Sequence, residues 1–179
     1  MSLFLPFRAL GCITDDVPFA VQRRGAETFV TVAVGAAWQT FNCAKLLLVA
    51  ASAQLPGPIA ALAVSNDLTF AAVGTDIHVF RRVHRVGVWR GHAAPLTQLL
   101  PLGPALVTLA RDGRILTWTL SRVEAAAAVS SAAGGAGDAA GGAAPLKPAP
   151  PRSLALPAAF TPTVMVHPDT YLNKVSGPF

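Results

Sequence analysis

His92, Thr108, Asp112 and Trp118 carry the side chains of this 179-residue sequence that could most readily combine into chemistry. A histidine can take a proton, an aspartate can orient it and a threonine hydroxyl can attack, which is the layout of a small hydrolase. The same four residue types also make a buried hydrogen-bonded chain. A buried Asp or His is costly unless its polar atoms find partners, so such a chain is a structural device in its own right. The elements that carry the four residues decide between these readings.

Other candidates are weaker. Asp15 and Asp16 are sequence neighbours, whose side chains usually point apart, and a turn before Pro18 explains them more simply. His78, His84 and His167 show no metal-ligand spacing, and Cys12 and Cys43 are too few for a zinc site or a disulfide framework. The cysteines read as small core residues in a reducing, intracellular setting. Glycines between Gly134 and Gly142 lack the following Lys-Ser/Thr and the flanking strand of a phosphate loop. No catalytic, cofactor or metal site is therefore expected, and no small-molecule substrate. Arg81, Arg82, Arg85 and Arg90, with His84 among them, form the one basic concentration. They could contact RNA phosphate or an acidic partner. The plainer reading is a solvated outer turn, because no aromatic stacking platform accompanies them.

The positioning elements recur. Trp38 to Phe41, Ile77 to Phe80 and Ile115 to Trp118 are counterparts spaced 39 and then 38 residues apart. Before each lies an apolar run (Thr28 to Val34, Leu68 to Val73, Ala105 to Leu109) ending in turn formers such as Gly35, Gly74 and Asp112-Gly113. Earlier runs at Val17 to Gln22, Ile59 to Val64 and Leu96 to Leu102, and later ones at Lys45 to Ala50 and Arg85 to Trp89, complete units of four short strands. A four-stranded antiparallel unit repeating at about 40 residues has the period of WD-repeat propeller blades. The third unit resembles that signature most fully: Gly91-His92 opens it, Asp112-Gly113 turns it, and Trp118 holds the tryptophan position. In such blades an Asp, a His, a Ser or Thr and the Trp form the buried chain, so His92, Thr108, Asp112 and Trp118 are expected to be structural. Thr119 stands where the repeat usually has Asp.

Composition agrees with a non-membrane β protein. Charged residues are 13%, hydrophobic residues 53% and the net charge +5, which permits a polyanionic partner without demanding one. No apolar run approaches the about 18 residues of a membrane-spanning helix, and Met1 to Phe7 lacks the charged start of a signal peptide. Residues 1–120 are expected to be blades one to three, the third incomplete. Residues 121–157 read as a low-complexity flexible insertion, Ala/Gly-rich and then Pro-rich, with at most a marginal helix at Val123 to Ser130. Residues 158–179 read as a truncated fourth blade, with strands at Thr161 to His167 and Tyr171 to Val175. Closed propellers need roughly four to eight blades, so the chain is expected to be a fragment.

Several stretches resemble one family more narrowly: Phe7 to Gly11, Asp16-Val17-Pro18, Phe29 to Val32 with Val34-Gly35, Lys45-Leu46 to Val49, Gly91-His92, and above all His167 to Lys174. They are similar to the amino-terminal region of the WD repeat-containing protein thirty-six / U-three small nucleolar RNA-associated protein twenty-one family, departing at Val175. The resemblance implies a non-catalytic scaffold of the small-subunit processome in the nucleolus, supporting pre-ribosomal RNA processing. Its implied partners are other processome proteins and the pre-ribosomal and small nucleolar RNA particle. The rival function is a WD-repeat adaptor elsewhere, such as ubiquitin-ligase substrate recognition or vesicle trafficking.

Overall fold

The computed structural model describes residues 16–120, 148–157 and 159–166. Twelve strands fall into three four-stranded sheets, each antiparallel and meandering in chain order. The first holds β1 (Ala20–Arg24), β2 (Glu27–Val34), β3 (Ala37–Asn42) and β4 (Leu47–Ala51). The second holds β5 (Ala61–Ser65), β6 (Leu68–Val73), β7 (Asp76–Arg81) and β8 (His84–Arg90). The third holds β9 (Leu96–Leu102), β10 (Ala105–Ala110), β11 (Ile115–Thr119) and β12 (Arg152–Ser153). The described residues are all-β, a partial propeller of three blades.

Two-residue turns set the registers. Arg24 pairs with Glu27, Val34 with Ala37, Ser65 with Leu68, Val73 with Asp76 and Arg81 with His84. In each turn the first residue (Gly25, Gly35, Asn66, Gly74, Arg82) has a φ between 50° and 60°. This left-handed start matches the hairpin's backbone twist to that of its strands. The repeat also extends to irregularities: a bulge falls between Thr40 and Phe41 in one blade and between Val79 and Phe80 in the next.

Consecutive blades are joined through those same turns. The connection after β4 returns to the β2–β3 turn, where Leu55 N–H donates to Ala36 O and Ile59 N–H to Gly35 O. The connection after β8 does the same at the next turn, Leu96 N–H donating to Gly74 O at 2.8 Å. Each interface then has its own core. Trp38 and Phe80 meet edge to face at 5.5 Å between blades one and two, with Leu55, Ile59, Leu62 and Ala71 around them. Trp89 and Trp118 stack at 5.5 Å between blades two and three, with Phe70, Leu106 and Leu116 packed against them.

Two expectations need correcting. The third blade is complete, because β12 comes from inside the stretch expected to be irregular: Arg152 pairs with Thr117 and Ser153 with Leu116. This short strand sits at the outer edge of the sheet, beside β11 alone. The expected strand from Thr161 does not appear over 161–166. There the Gln98 side chain grips the Met165 backbone, its Nε2 donating to the carbonyl at 2.5 Å and its Oε1 accepting from the N–H at 2.7 Å. Cys12, Asp15, His167, the Ala/Gly run, the helix at Val123 to Ser130 and the strand at Tyr171 to Val175 lie outside the described residues.

Candidate functional site

Three of the four residues singled out in blade three are joined. Thr108 Oγ1, fully buried on β10, lies 2.7 Å from His92 Nε2 and 3.0 Å from Trp118 Nε1, and it donates to Leu116 O at 3.2 Å. A hydroxyl has one hydrogen and two lone pairs. Here the hydrogen goes to Leu116 O and the lone pairs accept from the indole and the imidazole, which assigns the histidine proton to Nε2. Local folding explains the meeting. Thr108 pairs with Leu116 across the β10–β11 ladder, and Trp118 sits two residues further along on the same face. His92 is delivered by the turn after β8.

Asp112 does not join this chain. It is exposed in the β10–β11 turn, where its Oδ1 accepts from Arg114 N–H at 3.1 Å. His92 Nδ1 is buried without a partner. Burial lowers the His92 pKa below the ordinary histidine value, the nearby Arg114 adds to the fall, and the Asp112 charge opposes it. Burial thus disfavours the charged imidazolium. A buried hydroxyl bonded three ways to its own blade has no face left for a substrate, so the arrangement braces β10, β11 and the entry turn.

The arginines separate. Arg90 Nε pairs with Asp76 Oδ2 at 3.0 Å, and Arg81 ends β7 with partners of its own. Arg85 is exposed on β8. Arg82 lines a cavity of about 330 Å³ between blades one and two. The walls are Thr31, Trp38 and Thr40 from blade one and Val64 and Thr69 from blade two, with Arg24 and Asp67 also lining it. Sequence reasoning did not find this cavity. Its walls read as ordinary strand residues, and the only advance signal was the row of hydroxyls at Thr31, Thr40 and Thr69 where a core would place apolar groups.

Among the described residues, no three His, Cys, Asp or Glu side chains stand together as a metal site, and no helix is long and apolar enough to cross a membrane.

Comparison with known proteins agrees with this architecture. The family model of the WDR36/Utp21 first beta-propeller matches residues 30–176. Human WD repeat-containing protein 36 is 28% identical over 177 residues, covering 97% of this chain and 17% of that protein. The U3 small nucleolar RNA-associated protein 21 homolog of Schizosaccharomyces pombe is 26% identical, again over 97% of this chain and 17% of its own length. U3 small nucleolar RNA-associated protein 21 of Saccharomyces cerevisiae is 28% identical over 82 residues, or 45% of this chain and 9% of that protein. The chain thus spans about 17% of the length of the first two relatives.

Proposed function

We propose that this chain, which belongs to the WDR36/Utp21 family and falls within its first β-propeller, acts as a non-catalytic scaffold of the small-subunit processome. The observation that carries the reading is the family match across residues 30–176, laid over a third blade whose Thr108 hydroxyl is spent on its own structure. Two of the relatives are named for association with U3 small nucleolar RNA. In this reading the chain helps hold that RNA's particle on nascent pre-ribosomal RNA in the nucleolus. The hydrolase alternative loses support from the geometry. Thr108 is wholly buried, and His92 spends its proton on it rather than taking one.

The test is affinity purification of the tagged chain from nuclear extract, followed by quantification of U3 RNA, early pre-ribosomal RNA and co-purifying proteins. Enrichment of U3 RNA and processome proteins over a tag-only control is the expected outcome. Enrichment of cullin or coat subunits instead, with U3 RNA at background, would overturn the assignment.

A further inference from the structure

The two blade interfaces follow one scheme and differ in one layer. Three ladder pairs in from the closing turn, β6 and β7 present Phe70 and Val79 to blade three, where both are fully buried in the core. The matching pair of β2 and β3 is Thr31 with Thr40, their hydroxyls bonded to each other at 2.8 Å. Thr69 of blade two lines the same space. Where one interface has a phenylalanine and a valine, the other has two threonines and a cavity of about 330 Å³. The fold shows one blade away that this layer can be filled.

The cavity is mostly apolar and carries two donors without a partner among the described residues, the Trp38 indole and Arg82. Trp38 is 1% exposed and forms a wall, yet its indole N–H has no acceptor. Arg82 and Val83 line it from the exposed β7–β8 turn, and Arg82 has no ion pair among the described residues. The one carboxylate in the lining, Asp67, is taken by Arg24 at 3.0 Å. Unused donors call for acceptors, and the net charge of +5 attracts them.

We propose that this cavity docks an acidic peptide segment of a partner protein. One apolar side chain is seated between blades one and two, and a flanking carboxylate lies on Arg82. The volume is at the small end of ligand sites, which suits a single side chain. A nucleobase is disfavoured because base recognition needs an exposed aromatic face to stack on, and Trp38 offers none. The inference stands independently of the processome reading.

Binding is read by fluorescence anisotropy, adding the 179-residue chain to fluorescein-labelled acidic heptapeptides with a central Leu, Ile, Phe or Tyr. A central-Gly peptide is the control, and a labelled uridine oligomer tests the nucleic-acid alternative. At least one apolar-centred peptide binds and the Gly peptide does not. Arg82→Glu weakens that binding about ten-fold or more. Thr31→Phe with Thr40→Val copies the next interface, abolishes binding and raises the thermal midpoint, so its loss of binding is not unfolding. If the double variant fails to fold, Arg82→Glu decides, together with cross-linking of a photoreactive central residue to Val64 or Val83. The proposal is overturned if no acidic peptide exceeds the Gly control, if the folded double variant binds as well as the parent, or if the uridine oligomer alone binds.

Discussion

Thr108→Val is the sharpest probe of the buried polar chain. Valine keeps the shape of threonine and removes only Oγ1. That atom meets the Trp118 indole at 3.0 Å, the His92 imidazole at 2.7 Å and Leu116 O at 3.2 Å. All three side chains involved are at least nine-tenths buried, so water cannot replace the lost acceptor. Two N–H donors are orphaned, at about 1–3 kcal/mol each. The added methyl group returns roughly 0.8 kcal/mol of apolar burial. The expected net loss is about 3 kcal/mol. Thr108→Ser keeps the oxygen and gives up one methyl, for a loss of about 1 kcal/mol. Urea denaturation followed by tryptophan fluorescence measures both, because Trp89 and Trp118 stack at this interface. Trp118→Phe supplies the cycle. Once the indole donor is gone, Thr108→Val should cost less than it does in the parent, by about 1 kcal/mol or more. Equal losses for Val and Ser, or strict additivity with Trp118→Phe, would refute the view that the hydroxyl is the acceptor holding these groups.

Other consequences follow from packing, charge and exposure. Gly91→Ala would place a Cβ 3.0 Å from Trp118 Cη2 and 3.2 Å from Leu116 Cδ1, so a loss of about 2 kcal/mol is expected in the same denaturation assay. His78 and His92 both have pKa values lowered chiefly by burial, so the unfolded chain binds more protons than the folded one below about pH 6.5. Stability is therefore full above that pH and falls as pH drops through and below it, which thermal midpoints from pH 8 to pH 5 measure; a midpoint that rises on acidification contradicts the assignment. Val21, Val30, Phe41 and Leu48 form one apolar row across blade one, on the face away from blade two, with Val21 58% and Leu48 53% exposed. The 179-residue chain is expected to self-associate through this row, and Val21→Lys with Leu48→Glu should shift its sedimentation toward monomer.

Legibility in the sequence follows how local each feature is. The strands and their turns could be read because period-two alternation and Gly or Asn at the turns are local properties, and repetition at Trp38, Ile77 and Ile115 multiplied the signal. That Thr108 and Trp118 share a face was legible for the same reason, since a ladder register fixes it, while His92 was expected there only from the blade signature. Asp112 was not. A carboxylate in a turn can bond its own backbone two residues on, and here Asp112 accepts from the Arg114 N–H. Strand β12 was hidden because two residues beside prolines carry no periodicity, and only the open edge of β11 makes a strand of them.

The cavity marks the limit of single-strand reading. Thr31 and Thr40 are β-branched residues that any strand accommodates, and their hydroxyls alone do not show that the layer between the blades is left unfilled. Their meaning appears only when the ladder pairs of successive blades are laid over one another and Phe70 with Val79 falls on the same layer. A repeat protein supplies its own control: each interface shows what the scheme does when its only task is to pack. Blade two against blade three closes with aromatic stacking and a satisfied hydroxyl. Blade one against blade two substitutes hydroxyls for bulk, leaves the Trp38 N–H without an acceptor and places Arg82 in the lining. Departures of volume and polarity at one layer of an otherwise repeated interface have a common physical explanation if something outside the three blades completes it.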